Sequence, residues 1–565
     1  MTQPTNLNAA TETIVERRGV PSTPPKRIAH IVSVSGSQAV AVIEHDANSN
    51  RDDKYRVEIG HLLKIVTPHS WVIGIVSSVS TPVPEVASMD DEIGVIELAL
   101  VGEIVSDLDS GRLGFTRGVA TLPTLGDAVQ IADKHDLTRV YTQPNIGTID
   151  VGTLYQNKSV PARLIVDDLL SKHFVVVGST GCGKSTAMMH ILRRIVADYQ
   201  HSRIIVLDMH NEYHSAFGQR AELIDTGNLH LPFWLLNFDE LVLALASIDS
   251  HHDAECEILR EAILAAKQQF SEGHVLRRKL GDNFISVDSP TPFKLSDVVS
   301  WIDERLGRLE RTHSTTPYRR LKSRIETLTS DMRYSFMFSG FTVEDNLVSV
   351  LGRLFRIPSI GKPITVVNLA AVPGEILDIV VSVISRLAFD LAMWSEGRNP
   401  MLLVCEEAHC YAPAEPNGKF LPTRQALAKI AKEGRKYGIS LALVSQRPSD
   451  IDASILSQCG TAIAMRLSTE RDQQVVRGTA DRGSPQGIDL LPLLADREAI
   501  VVGQGVLMPM RIRFSDVTAD SVPDSQHVVF SKMWKTETGD VDSLSRIINL
   551  WRSGGRTKLG NKIQP

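Results

Sequence analysis

The stretch Phe174-Val175-Val176-Val177-Gly178-Ser179-Thr180-Gly181-Cys182-Gly183-Lys184-Ser185-Thr186 decides the fold. Four apolar, β-favouring residues run into Gly178, and Gly183-Lys184-Ser185 follows at the spacing G-x-x-x-x-G-K-S. Residues 187–200 then place Met188, Ile191, Leu192 and Ile195 at a helical period. Strand, glycine loop and helix in this order form the context that a nucleotide phosphate requires. Glycines let successive backbone N–H groups turn inward around an anion, and the helix N-terminus adds partial positive charge. Gly178, Ser179, Thr180, Gly181, Cys182, Gly183, Lys184, Ser185 and Thr186 are therefore the candidate nucleotide-binding residues. Lys184 is placed to reach the β- and γ-phosphates and Ser185 to hold Mg²⁺. The expected cofactors are ATP and Mg²⁺.

Downstream, residues 401–405 are apolar and Glu406-Glu407 follow. This predicts a central strand beside the phosphate-loop strand, with both carboxylates at its end. Glu406 suits Mg²⁺, held through water, and Glu407 suits orientation or deprotonation of an attacking water. Two adjacent carboxylates at a buried strand end repel one another unless a cation or water network sits there. The pair favours ATP hydrolysis over a kinase, for which the sequence carries no acceptor-pocket signal. Gln446 closes the apolar run 439–444, where an amide with both donors and an acceptor senses the γ-phosphate or the water. Asp208, His210 and Glu212 follow the expected strand 203–207, at the edge where open α/β sheets present ligands. Arg435 lies between a helix and a strand, in Lys432-Glu433-Gly434-Arg435-Lys436-Tyr437-Gly438. A guanidinium there is a candidate to leave its own subunit and neutralise a neighbour's γ-phosphate; Lys436, Arg447 and Arg466 are rivals for that role.

The flanks divide the 565 residues into several units. Residues 1–26 are polar and proline-rich, a flexible leader. From 27 to 166 short Val- and Ile-rich runs are punctuated by Gly and Pro, at 28–34, 38–43, 55–59, 62–66, 71–79, 94–104, 111–119, 127–132 and 159–166. So many short strands predict a small all-β barrel, which hides its edges. The polar run 48–54 is expected to be a hairpin tip. Segments 167–229 and 339–520 alternate strand and helix and form the nucleotide core, ending in a hairpin of 498–502 with 510–514. Residues 230–338 read as an inserted helical subdomain, and 521–565 as a tail with one helix at 541–551. The fold class is α/β: a P-loop ATPase core, which resembles the RecA/FtsK kind, with an N-terminal all-β barrel and a helical insertion.

The insertion carries Arg277-Arg278-Lys279, Arg305, Arg308, Arg311, Arg319-Arg320, Lys322 and Arg324. These either touch a nucleic-acid backbone or form a solvated face paired with Glu304, Glu310 and Glu326. A net charge of −6 argues against a wholly basic surface but leaves room for basic loops lining a channel. Five cysteines, sparse and without metal-ligand pairing, suggest a reduced compartment. With no signal sequence and no apolar run of membrane-span length, the expected location is the cytoplasm, without membrane attachment.

Together these features resemble the HerA-like ATPases, ring-forming DNA translocases related to the FtsK and VirB-type motors. The resemblance runs from about residue 27 to 514. It rests on Gly114-Phe115-Thr116-Arg117-Gly118-Val119, the phosphate loop, Leu207-Asp208-Met209-His210-Asn211-Glu212-Tyr213 and residues 404–409. It closes on Glu433-Gly434-Arg435-Lys436-Tyr437-Gly438-Ile439, Val444-Ser445-Gln446-Arg447-Pro448 and Asp496-Arg497-Glu498. The resemblance implies a homohexamer with ATP sites between subunits and double-stranded DNA in the pore. It assigns Lys184 and Ser185 to phosphate and Mg²⁺, Glu406 and Glu407 to Mg²⁺ and water, Gln446 to sensing and Arg435 to the trans arginine. It also implies an effector on the barrel face: a NurA-type nuclease, a sirtuin-like NAD hydrolase or another nuclease, in DNA end processing or antiphage defence. Pore contacts remain open among Arg398, Lys419 and Arg424. A ring that organises its effector while moving little DNA is the competing expectation, and a secretion ATPase a third, weakened by the lack of an anchor.

Overall fold

The computed structural model describes residues 27–44, 57–81, 94–106, 113–142, 146–246, 251–273, 285–308, 314–338, 343–415, 421–480 and 487–516. The expected hairpin tip at 48–54 and tail helix at 541–551 lie outside these, as do Arg277, Arg278, Lys279, Arg311 and Lys419.

The N-terminal strands are β1 (Ala29–Ser35), β2 (Gln38–Ile43), β3 (Leu62–Val66), β4 (Trp71–Ser80), β5 (Val95–Ser106), β6 (Leu113–Arg117) and β7 (Ala128–Ile131). They pair in the order β2-β1-β7-β3-β4-β5, and β2 also pairs with β5, which closes a six-stranded antiparallel barrel. Along one edge the long β5 serves two neighbours, its first half meeting β2 and its second half β6, while β4 pairs along the other edge. Closure removes the free edges that an open sheet of such strands would expose. Ile31, Leu63, Ile65, Val72, Leu98 and Val129 fill the interior. Of the expected strand at 55–59, residues 55–56 lie outside the described residues, and 57–59 are not strand but lead through a turn at 59–60 into β3. A helix that periodicity did not flag, Lys134–Tyr141, leaves the barrel under a capping box of Asp133 and Asp136. Asp136 also accepts a buried 2.7 Å ion pair from Lys64 on β3.

The second sheet holds β8 (Thr148–Leu154), β9 (Pro161–Ile165), β10 (Phe174–Val177), β11 (Ile204–Asp208), β12 (Ala221–Ile224), β13 (Ile364–Asn368), β14 (Met401–Cys405), β15 (Ile439–Ser445), β16 (Thr461–Ala464), β17 (Glu498–Gly503) and β18 (Met510–Phe514). Its order is β12-β13-β11-β14-β15-β10-β16-β17-β18-β8-β9, parallel as far as β16 and antiparallel beyond. Residues 159–166, expected in the barrel, instead pair with β8 at the antiparallel end of this sheet. Strand pattern alone does not tell which sheet a hairpin joins. The β10 run is apolar throughout because both faces are covered: Val175 and Val177 point into one core, Phe174 and Val176 into the other. Contrary to expectation, β14 does not lie beside β10; β15 runs between them.

Between β12 and β13 the helices Phe238–Leu245, His252–Gly273, Leu295–Arg308 and Thr316–Ser330 build the insertion on one face of the sheet. Its basic residues are largely spent within the chain: Arg305 on Glu261, Arg308 on Glu304, Lys322 on Asp303 at 2.7 Å and Arg324 on Glu375. That favours the solvated, paired face over a nucleic-acid contact for these four. Barrel and core are joined by polar clasps. The Gln156 amide accepts from Leu62 N at 2.9 Å and donates to Leu62 O at 3.1 Å, and Arg117 donates to the carbonyls of Val506 and Leu507.

Candidate nucleotide site

β10 delivers the chain to Gly178, and the helix Lys184–Asp198 begins at the far side of the loop. Gly183 caps that helix at φ +102°, a conformation L side chains rarely adopt. A Cβ on Gly178 would meet Cys182 Sγ at 2.7 Å and Met465 Cβ at 2.9 Å, so the loop packs down on β16 only with glycine there. Lys184 is buried, and its ammonium donates to the Ser179 carbonyl at 3.2 Å across the mouth of the loop. Such a lysine, folded over a glycine loop at a helix N-terminus, suits a bound triphosphate.

Ser185, one residue further on, donates from Oγ to Glu406 Oε1 at 3.1 Å. Glu406 stands at the end of β14, and the helix after β10 reaches it across the end of the intervening β15. Its other oxygen accepts from the hydroxyl of Tyr213, while Tyr411 donates to its backbone carbonyl. Tyr213 arrives through strand order. β11 pairs with β14, so the turn after β11 is brought against the carboxylates at the end of β14. Asp208 holds that turn from within, accepting from His210 N at 3.1 Å and Tyr213 N at 3.0 Å. It is fully buried, so it shapes the site rather than facing a ligand. Burial raises its carboxyl above the usual range, against the pull of four backbone amides.

Burial pushes the Glu406 carboxyl up to about 8, and the charges of Glu407 and Asp208 add to the rise; hydrogen bonds from Tyr213 and Ser185 oppose it. A buried carboxylate that holds a proton at neutral pH, beside a serine hydroxyl, is a place that a hard divalent cation would stabilise. Among the described residues no three His, Cys, Asp or Glu side chains gather to hold a metal by themselves. This donor set fits Mg²⁺, which takes a hydroxyl, a carboxylate, water and the phosphates of its nucleotide.

Glu407 adopts the left-handed region (φ +51°, ψ +48°), which turns its side chain away from that of Glu406. His409 Nδ1 lies 3.3 Å from Oε2 and His210 Nε2 3.8 Å from Oε1. His409 is also engaged with Ser445 Oγ at 3.1 Å, and Oε2 is left without a hydrogen bond. Burial lowers the His409 pKa, so the ring leans toward neutrality. A buried carboxylate with an unused oxygen suits a base or water-orienting group. At the end of β15, Gln446 Oε1 accepts from Thr180 on the phosphate loop at 2.5 Å.

Lys184, Ser185, Glu406, Glu407, Gln446 and His210 thus gather at the C-terminal edge of the parallel strands. Glu212 is half-buried in the β11 turn. Arg435 is not part of this group. It sits near the end of the helix Leu421–Tyr437, just before β15 begins, so the length of β15, about 20 Å, separates it from the phosphate loop. Arg466 and Arg447 are closer to the loop, but ion-paired with Asp496 and Asp450. Of the conjectured pore residues, Arg424 is tied to Asp452 and Arg398 lies near Glu396. Sequence reasoning missed Tyr213, Tyr411 and His409 as neighbours of the carboxylates, and Thr180 as the partner of Gln446. The signal available was position: each lies within five residues of a strand-end motif.

A phosphate loop at one edge of a parallel sheet, with two carboxylates and an amide at neighbouring strand ends, defines a P-loop ATPase. Residues 149–388 match the family described as the central domain of the helicase HerA. The HerA DNA double-strand break repair helicase of Sulfurisphaera tokodaii is 26% identical over 439 residues, 76% of this chain and 80% of that one. The HerA of Sulfolobus acidocaldarius is 25% identical over 509 residues, 86% and 92% of the two chains. Among solved structures, VirB4 of Thermoanaerobacter pseudethanolicus superposes over 67% of this chain and 99% of its own, at a TM-score of 0.47 and 16% identity. The chain is thus similar to the HerA helicases, with the family match falling on residues 149–388. No helix among the described residues is long and apolar enough to cross a membrane.

Proposed function

We propose that this ATPase works as a homohexameric ring that uses ATP and Mg²⁺ to move double-stranded DNA through its pore. In this reading a nuclease or other effector docks on the exposed face of the barrel, and the complex acts in DNA end processing or antiphage defence. Lys184 binds the β- and γ-phosphates, Ser185 and Glu406 hold the cation, Glu407 orients or deprotonates the water, and Gln446 reads the γ-phosphate. The names of the relatives, DNA double-strand break repair helicases, support the DNA part.

The observation that carries the ring is the position of Arg435. It is exposed and, among the described residues, has no acidic side chain within ion-pair distance. Its own phosphate loop lies a full strand length away. A guanidinium exposed in this way is available to a neighbour's site, where it would supply charge to the γ-phosphate.

The test pairs light scattering with ATP hydrolysis measured with and without linear duplex DNA, and with displacement of a protein roadblock from that DNA. A hexamer whose hydrolysis rises with duplex DNA and which clears the roadblock is expected. A chain that stays monomeric with ATP refutes the ring, and a ring that hydrolyses ATP but never clears the roadblock is a scaffold for its effector.

A further inference from the structure

Thr180 stands at the crest of the phosphate loop, exposed, and its hydroxyl donates to Gln446 Oε1. The acceptor oxygen of the amide is therefore occupied from the loop side. The amide nitrogen of Gln446 has no acceptor among the described residues, and an amide is planar, so its two N–H bonds are held pointing away from Thr180. Without that hydroxyl the amide is free to turn over and present its oxygen, which would repel a phosphate oxygen where its nitrogen would bind one.

We infer that Thr180 is a positioning residue for the hydrolytic step: its hydroxyl fixes the orientation of the Gln446 amide, so that the nitrogen faces the γ-phosphate or the attacking water. This rests on the reading of the site as one that hydrolyses ATP. The contact also links the loop to the water-activating carboxylate. Gln446 follows Ser445, whose hydroxyl meets His409 Nδ1 at 3.1 Å, and His409 lies 3.3 Å from Glu407 Oε2. The loop is further pinned to β15 by Gly178 N donating to Ser445 O. A change in the loop crest on nucleotide binding is thus felt at the end of β15 through a side chain that touches both.

The experiment compares wild type, Thr180→Val, Thr180→Ser, Gln446→Ala and the Thr180→Val/Gln446→Ala double variant in the full chain. It reads kcat and KM for ATP hydrolysis and the affinity for a fluorescent ATP analogue. Thr180→Val keeps the shape and removes only the hydroxyl. Its kcat is expected to fall about 3- to 10-fold, the worth of one net hydrogen bond expressed on the rate, with KM and analogue affinity within about twofold. Thr180→Ser should restore kcat, and the double variant should be no slower than Gln446→Ala, because the hydroxyl acts only through the amide. A kcat for Thr180→Val equal to wild type overturns the inference. So does a double variant whose losses multiply, which would mean that Thr180 acts independently of Gln446. If wild type and Lys184→Ala hydrolyse ATP equally, the reading of the site fails, and the inference with it.

Discussion

Replacing Tyr213 with Phe tests whether Glu406 is held ready for a cation by its surroundings. The ring of Tyr213 is fully buried, so Phe keeps the packing and removes one hydroxyl, the donor to Glu406 Oε2. The carboxyl is held up to about 8 by burial, so at pH 7 it is mostly neutral and must ionise before it can serve a cation. A hydrogen bond to a charged acceptor is worth about 1.5–3 kcal/mol and one to a neutral acceptor about 0.5–1.5 kcal/mol. Losing the donor therefore makes ionisation harder by about 1–1.5 kcal/mol, and the carboxyl moves further up. At pH 7 the Mg²⁺ concentration for half-maximal hydrolysis should rise about 5- to 13-fold, while kcat at saturating Mg²⁺ stays within about threefold. The sign also fixes the pH dependence. Well above the carboxyl's pKa both proteins are already ionised, so the difference between them should shrink as the pH is raised from 7 to 9. Steady-state hydrolysis against Mg²⁺ at several pH values checks this. An unchanged Mg²⁺ requirement, or a deficit that grows with pH, refutes the reasoning.

Glu407→Gln should lower turnover about 10²- to 10⁴-fold while nucleotide binding persists, measured by single-turnover hydrolysis and equilibrium binding; normal turnover would remove Glu407 from the water-activating role. Mixing Arg435→Ala with Lys184→Ala subunits should restore part of the activity that each lacks alone, because an intact loop then faces an intact arginine in some interfaces. Equal loss at every ratio would count against Arg435 and direct attention to Lys436, Arg447 or Arg466. In the barrel, Lys64→Met leaves the buried Asp136 without its 2.7 Å partner and with Arg139 3.6 Å away. It should cost about 3–5 kcal/mol of stability, seen by thermal denaturation, and a shift too small to measure would show that Asp136 takes up a proton at little expense.

Much of the nucleotide core was legible because its signals are local. A glycine spacing, an apolar run on each side and a Lys-Ser pair specify a loop whose geometry hardly depends on the rest of the chain. The hairpin of β17 and β18 was legible for the same reason. What was not legible was order across the sheet. Whether β14 lies beside β10 or one strand removed depends on how long crossovers pack, and nothing within residues 401–407 encodes it. The same holds for β8 and β9, whose alternation would suit either the barrel or the edge of the larger sheet. The helix Lys134–Tyr141 escaped a periodicity search because its mean hydropathy is low; its capping box, Asp133 with Asp136, was the better signal. Tyr213 and His409 were in plain view within quoted motifs. The partner of Tyr213 became visible only once β11 was known to pair with β14, and Ser445, which meets His409, only once β15 was.

Strand order also explains how two neighbouring glutamates can hold different tasks. Side chains of consecutive residues in a strand point to opposite faces, and Glu406 keeps that rule, lying against Tyr213 and Ser185 in a dry place. If Glu407 continued the strand it would enter the opposite core, where a charge is costly. The chain instead leaves the strand at Glu407 through the left-handed region, at φ +51°. That single turn sends the second carboxylate to the rim between His210 and His409. One carboxyl is thereby raised by burial, at the place proposed for the cation, and the other keeps an oxygen unspent. The cost of a non-glycine residue in this conformation is of order 1 kcal/mol, so a β-branched residue at 407 would both lose the carboxylate and strain the turn. Glycine at 407 relieves the strain but supplies no base. A Glu407→Gly variant should therefore fold at least as stably as wild type and yet hydrolyse no faster than Glu407→Gln. If instead it lost stability, the turn would be held by contacts of the Glu407 side chain, and the separation of tasks would rest on the two histidines rather than on the backbone.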